Sequence, residues 1–323
     1  MPMQDPSAIG SAPLVSVSMT AFNSEQWISK ALDSVLLQRT NFPIEIVIGD
    51  DCSTDGTIAI ARAYQEQNPH MIRVLERTRN VGMQRNYYET FEQCQGKYIA
   101  WLDADDCWTD PEKLAVQVQI LESDPLISAC GHFVRQVTKD GEVNRERYPS
   151  VPPGRYGLKE IVLRNFVPSP SIMFRNGIHR DLPNWYFDLI GLVDWPILVL
   201  AGLSGDIVLI DRVMADYTLT PGSAYMNKGS VYQDMVDLQF CEHLDNFLPP
   251  PSRRLALAAK GKRYESISYA FRKQGNFPAA RDAAFKAFSS PALMDNCGSK
   301  AKSLVLAIIA EAQWKVRRGL SFI

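Results

Sequence analysis

Short continuous apolar runs alternate along this chain with stretches whose apolar residues recur at helical spacing. Leu14–Met19 is a run of the kind that forms a buried strand, and Asn23 followed by Gln26 has the spacing of a capping box that opens a helix through Gln38. The order then repeats: a strand at Ile44–Ile48, a helix at Thr57–Gln67, a strand at Ile72–Leu75, a helix at Met83–Cys94 and a strand at Tyr98–Leu102. Pro111, after Asp110, stands where a first-turn proline belongs and predicts a helix to about Glu122. Strands alternating with helices predict a Rossmann-like α/β fold, a mostly parallel central sheet flanked by helices and joined by right-handed crossovers.

Beyond Glu122 the pattern predicts a strand over Leu126–Thr138, a turn at Asp140-Gly141 and a returning strand over Glu142–Arg147. A proline-rich loop from Pro149 to Gly154 follows. Then come a short helix at Leu158–Arg164, a strand at Ser171–Arg175, a helix at Asp194–Leu203 and strands at Ile207–Ile210 and Val213–Leu219. After the Pro249–Pro251 triplet, a boundary by composition, the Ala-rich basic segments Arg253–Gln274, Pro278–Ser289 and Ser299–Arg318 read as three helices. The expected organisation is a tail (1–12), an α/β domain (13–224) in two parts, 13–110 and 111–224, and a small C-terminal helical extension (225–323), basic from 252.

Composition adds two facts. Six cysteines without a C-x-x-C pair, behind an N-terminus lacking a basic patch and apolar stretch, fit free thiols in a reducing cytoplasm. The formal net charge of -2 conceals 14 Lys and Arg against 4 Asp and Glu from Ser252 onward, so the remainder is acidic. A basic tail suggests an anionic membrane surface as partner, with peripheral attachment at its inner face; a solvated helical face explains it equally well. Leu304–Ala310 is the tail's most apolar run and far short of the ~20 residues that span a bilayer.

The chemistry concentrates in two acidic clusters, each where a strand runs out: Gly49–Thr57 and Asp103-Ala104-Asp105-Asp106. Like charges this dense repel and lose hydration, so a fold tolerates them only where water, a cation or a ligand offsets the cost. In α/β sheets ligands bind beyond the carboxyl ends of strands, which is where both clusters fall. Asp103 and Asp105, across a small Ala104, supply hard oxygen ligands suited to Mn2+ or Mg2+, with no His or Cys nearby to favour zinc. Asp106 either joins them or fixes the turn. Asp51 can accept the N3–H of uracil or thymine, and Phe22 can stack on the base. Asp55-Gly56-Thr57 reads as a turn and helix start. Arg79, Arg85 and Asn86 are donor contacts or simply a basic helix surface, and His132 and His179 read as structural.

Val15–Asn23, Gly49–Thr57, Asn80-Val81-Gly82 and Gly96–Asp106 together resemble the family 2 inverting glycosyltransferases over about residues 13–220. The resemblance implies a glycosyltransferase A fold with a divalent cation on the Asp-x-Asp motif. Thr20, Phe22 and Asp51 would then hold the nucleotide and Asp103 and Asp105 the metal; to these the expected site adds Asn23, Arg85 and Asp103 as nucleotide contacts and Asp106 as a metal ligand. The resemblance also implies a catalytic base within Val193-Asp194-Trp195, at Asp194, which as a sequence feature serves equally as a helix cap. One departure stands out: Thr220 occupies the place of a histidine found in many relatives.

The expected function is metal-dependent transfer of one sugar from a nucleotide-diphosphate sugar, UDP- or dTDP-linked, to a saccharide or lipid-linked saccharide acceptor in cell-surface polysaccharide or glycolipid synthesis. No nucleic acid partner is expected. With no long apolar helices after the catalytic part, single-sugar addition is expected over processive polymerisation. The competing readings are a sugar nucleotidyltransferase, which wants a glycine-rich or basic segment that Thr20–Asn23 does not provide, and a catalytically silent nucleotide-binding or scaffold protein.

Overall fold

Strands rich in Val, Ile and aromatic residues that are apolar on both faces require helices on both sides of a sheet, and the first half of the chain is built that way. The computed structural model describes residues 12–220, 229–290 and 297–317. Strands β1 (Val15–Ala21), β2 (Ile44–Asp50), β3 (Ile72–Glu76) and β4 (Tyr98–Asp103) alternate with helices α1 (Ile28–Leu36), α2 (Thr57–Gln67) and α3 (Met83–Glu92). They pair in parallel in the order β3-β2-β1-β4, with β1 entirely buried. The register sets Thr20 beside both Gly49 and Asp103, so the carboxyl ends of β1, β2 and β4 finish level. The strand order reverses between β1 and β4, which opens the ligand crevice of such sheets there.

The remaining strands make the sheet mixed. After β5 (Cys107–Trp108) and α4 (Lys113–Ser123) come β6 (Ile127–Thr138), β7 (Val143–Tyr148), β8 (Gly154–Tyr156), α5 (Leu158–Leu163), β9 (Met173–Arg175), α6 (Asp194–Ser204) and β10 (Asp206–Leu219). The three-residue β9 lies antiparallel between β4 and β6, and β10 runs parallel to β6 while pairing antiparallel with β5 and β8. The two strands expected at Ile207–Ile210 and Val213–Leu219 are one strand, irregular in register between Ile210 and Val213. That bulge absorbs the polar pair Asp211-Arg212, and a bulge lets a strand continue past residues that would otherwise end it.

The capping box expected at Asn23 is absent. Helix α1 begins at Ile28, and Asn23 adopts a left-handed φ of 50° and bonds across to the loop after β2. Helix α4 starts at Lys113, two residues past Pro111.

Close packing of α3 on β2 depends on one glycine. A Cβ at Gly49 would lie 2.0 Å from Thr90 Oγ1 and 2.8 Å from Asn86 Oδ1, while the Gly49 carbonyl accepts the Asn86 side-chain N–H at 2.9 Å. Behind β4, Trp101 packs 4.7 Å from Tyr87 and 5.1 Å from Phe91, and Phe91 packs 5.5 Å from Phe174, centroid to centroid.

The chain divides into two compact units. The first holds the sheet and its helices. The second comprises 162–164, 189–192 and 223 onward. It contains α7 (Ser230–Phe247), α8 (Arg253–Lys273), α9 (Phe277–Ser289) and α10 (Cys297–Arg317), in which α7 packs on α8, α8 on α9 and α9 on α10. Helix α7 has no counterpart among the sequence expectations, and the Pro249–Pro251 triplet lies within this unit. Inside it Arg263 lies 3.2 Å from Asp237 and 3.9 Å from Asp234. Among the described residues no helix is long and apolar enough to cross a membrane.

One buried cation stands out in the first unit. Lys113 is fully buried, with Nζ 3.8 Å from the Trp108 ring centroid and donating to Gln117 Oε1 at 2.7 Å. Burial pulls its pKa down to about 7. The unfolded chain therefore binds more protons than the folded one between about 7 and 10.5, and stability rises with pH through that window. Lys113→Met is expected to raise stability at pH 7 by about 1 kcal/mol, the relieved desolvation exceeding the lost bond to Gln117. In thermal melts from neutral to alkaline pH, the gain over wild type should shrink as pH rises.

Candidate active site

Alternation along β4 puts Trp101 and Asp103 on the same face of the sheet. The site is built outward from Asp103. Its Oδ1 accepts from Thr20 Oγ1 at 3.1 Å, from Trp101 Nε1 at 3.2 Å and from the Tyr87 hydroxyl. Ser169 adds a further hydrogen bond to this carboxylate. Burial nevertheless holds Asp103 above the usual carboxylate range, so desolvation outweighs all of these donors.

The next two carboxylates are crowded in the same way. Burial and then the Asp103 charge push Asp105 up to about 7, against a hydrogen bond from Thr220. Asp106 is raised well above its ordinary value by burial, then by Asp105 and Asp103. Its Oδ1 accepts the Thr218 N–H at 2.7 Å, which ties the acidic turn to the end of β10, and its Oδ2 has no partner among the described residues. Among the described residues none of the three pairs with a Lys or Arg.

A divalent cation fits the pair Asp103 and Asp105. Their donor set is hard oxygen, and a cation would offset the burial that raises both carboxylates and the Asp103 charge that raises Asp105 further. Among the described residues no three His, Cys, Asp or Glu side chains converge on one point.

Asp194 opens α6 and keeps partial solvent access. Its Oδ2 accepts from Asn165 Nδ2 at 2.9 Å and its Oδ1 from the Trp195 N–H at 2.7 Å. Asn165 is itself oriented, because its Oδ1 accepts the Val167 N–H at 3.1 Å. Trp195 is anchored by donation from Nε1 to the Ile161 carbonyl at 2.7 Å. Burial raises Asp194 to about 6, against the donors Asn165 and Trp195, and the Asp103 charge raises it further. The Tyr217 phenol is pushed well above its ordinary value by burial, then by the charges of Asp106, Asp194, Asp103 and Asp105, so it stays neutral.

The residues expected around the nucleotide are distributed as follows. Phe22, the residue after β1, has 51% of its surface exposed. Asn23 N–H donates to Ser53 Oγ at 2.9 Å, and its carboxamide oxygen accepts the Thr54 N–H at 2.9 Å. Both oxygens of Asp51 are engaged, Oδ1 by the Val81 N–H at 2.7 Å and Oδ2 by the Gly82 N–H at 3.1 Å. Gly82 has a φ of 87°, which a side chain would strain, and this turn presents its N–H to Asp51. Asp55 Oδ1 accepts the Thr57 N–H at 3.0 Å, as a turn and helix start requires. Arg85 pairs with Glu89 at 3.7 Å and lies 4.9 Å from the Phe187 ring centroid, so its partners lie outside the acidic cluster. His132 and His179 are buried, the latter 2.7 Å from Glu92.

Sequence reasoning missed Tyr87, Trp101, Asn165 and Tyr217. Strand alternation could have flagged Trp101; the other three reach the site through tertiary packing and leave no local signal.

Comparison with known proteins matches this arrangement to a family. The sequence model for glycosyl transferase family 2 covers residues 16–182, just over half of the chain. An uncharacterised protein of Mycobacterium tuberculosis is 32% identical over 204 residues, 63% of this chain and 58% of that protein, so the chain spans little more than half the length of this relative. A glycosyltransferase assigned to teichuronic acid biosynthesis in Bacillus subtilis, TuaG, is 37% identical over 111 residues, 34% of this chain and 42% of that one. In fold, the chain resembles the 1–349 fragment of S. aureus TarS in complex with UDP-GlcNAc, with a TM-score of 0.62 at 18% identity over 96% of this chain and 93% of that one. It also resembles the mannosyltransferase PcManGT from Pyrobaculum calidifontis in complex with GDP-Man and Mn2+, with a TM-score of 0.57 at 18% identity over 94% and 87% of the two chains. The chain belongs to glycosyl transferase family 2 and has the glycosyltransferase A type of fold.

Proposed function

We propose that this protein is a glycosyltransferase that moves a single sugar from a UDP- or dTDP-linked donor to an acceptor hydroxyl, with inversion and with Asp194 as general base. The observation that carries the reading is the pairing of two kinds of carboxylate in one unit. One kind is a mutually repelling pair, Asp103 and Asp105, poised for a cation; the other is an accessible carboxylate raised to about 6 and held by an oriented amide.

The donor's base fits a preformed loop. Asn23 and Cys52, both left-handed with φ of 50° and 61°, are locked by the Asn23 bonds to Ser53 and Thr54, and Phe22 offers its exposed ring for stacking. Asp51 holds the Asn80–Gly82 turn and retains lone pairs for a base N–H. A cation on Asp103 and Asp105, Mn2+ or Mg2+, would supply neutralisation of the departing diphosphate. Thr20, Trp101 and Tyr87 keep Asp103 facing one way. Asp194, ionised above its pKa, takes the acceptor proton as the hydroxyl attacks the anomeric carbon opposite the leaving group, and Asn165 steadies the carboxylate through that transfer.

The relatives support a nucleotide-diphosphate-sugar donor in general: TarS is solved with UDP-GlcNAc, PcManGT with GDP-Man and Mn2+, and TuaG is named for teichuronic acid biosynthesis. A saccharide or lipid-linked saccharide is the acceptor in this reading.

Thermal stabilisation by UDP, dTDP, GDP and CDP, each with and without Mn2+, tests the donor site. UDP or dTDP should raise the melting temperature only when Mn2+ is present, and Asp105→Ala should abolish the shift. A metal-independent shift would overturn the cation assignment, and no shift with any nucleotide would favour a silent scaffold.

Asp194→Asn should retain the nucleotide shift and lose ~10²–10⁴-fold in kcat, the size of a general-base contribution. At saturating Mn2+, wild-type kcat/KM should rise with pH through about 6 and then level, because the base must be ionised. Asn165→Ala removes a donor that favours the charged form, so its acidic limb should move to higher pH, a displacement that loss of packing alone would not produce.

A further inference from the structure

An ordinary amphipathic helix turns its apolar face inward. Helix α10 does the reverse. Its buried positions include Ala307 and Glu311, whereas Val305, Ile309 and Val316 are 53%, 47% and 64% exposed and Leu306 and Ile308 lie out beside them. At 3.6 residues per turn these side chains cover an arc of about 160°, wider than a two-stranded coiled-coil seam uses.

The charges on this helix are as one-sided as its apolar residues. Glu311 is the only acid in α10; it is buried and takes Arg281 at 3.0 Å and Lys315 at 3.2 Å. The outward arc therefore carries exposed Lys302 and no negative charge. On the neighbouring α9, Phe285 and Phe288 are exposed with Lys286 between them. On α8 the exposed Tyr269 ring lies 5.0 Å from the Lys273 ammonium and 5.7 Å from the Arg272 guanidinium.

We infer that the outward face of α10 docks on an anionic phospholipid surface, with Val305, Ile309 and Val316 entering the headgroup boundary and Lys302 pairing with lipid phosphate. The charge selects this occupant. A second copy would bring one cationic, acid-free face against another, whereas an anionic leaflet supplies the missing charge and takes up a broad apolar arc. The inference stands apart from the transfer reading, since docking needs neither donor nor metal.

Co-sedimentation with vesicles of phosphatidylcholine alone, and of phosphatidylcholine mixed with phosphatidylglycerol, tests it on the full chain. The expected result is binding at least ~10-fold tighter to the anionic vesicles, weakened by salt. Lys302→Glu should reduce it and the Val305→Glu, Ile309→Glu double variant should remove it. Both apolar positions are exposed, so the double variant should fold, and wild-type circular dichroism and melting temperature check that. Equal binding to both vesicle types, or undiminished binding by the double variant, would overturn the inference. So would a dimer formed without lipid that the double variant dissociates, since the face would then be covered by a second copy.

Discussion

Repulsion among carboxylates that the backbone forces together is the constraint on which the rest of the sheet unit depends. Asp103, Asp105 and Asp106 fall within four consecutive residues, Tyr217 feels all three together with Asp194, and every one of the four is raised above its ordinary range. Burial is the largest cause at each. A fold optimised for stability alone would disperse or expose these groups. Retaining them together gathers ionisable oxygens where the parallel strands end, the setting that the proposed cation would use.

The architecture around the cluster follows from holding it still. Asp103 could rotate away from its neighbours, but Thr20 from β1, Trp101 from β4 and Tyr87 from α3 all donate to the same oxygen. Tyr87 reaches it only because α3 lies close on β2, which the missing side chain at Gly49 allows, and because Trp101 and Phe91 fix the ring from behind. Asp106 pins the far side of the turn to β10. Lys113 belongs to the same support: its partner Gln117 also donates to the Ser171 carbonyl at 2.7 Å, in the segment whose Ser169 bonds Asp103.

The parallel half was readable because each of its strands is a single apolar run ended by turn residues or acids, so local pattern and tertiary role agree. What escaped reading was tertiary. Asn23 has capping-box spacing, but Ser53 and Thr54 bind it across the crevice. Helix α7 places Asp234 and Asp237 on its buried side, satisfied by Arg263 from α8, and those acids hide its apolar period. Strand β9 falls within the strand expected at Ser171–Arg175, but its antiparallel place between β4 and β6 is a tertiary feature that no periodicity encodes. In the site, the acidic motifs were legible as residues, whereas Asn165 and Tyr217 acquire a role only once α6 and β10 are in place.

Asp194 shows how far a structural explanation reaches. One of its oxygens takes the N–H of Trp195, the second residue of α6, as a carboxylate at a helix start can. That task needs an acceptor and nothing more; asparagine or serine would perform it without a charge to desolvate. The second oxygen is served separately by Asn165, whose own carbonyl is fixed by Val167, so the amide can present only its donor. A residue present merely to begin a helix has no use for a dedicated donor, partial solvent access and a pKa near 6. The general-base role proposed for Asp194, which asks a residue to gain and lose a proton close to neutrality, would use all three.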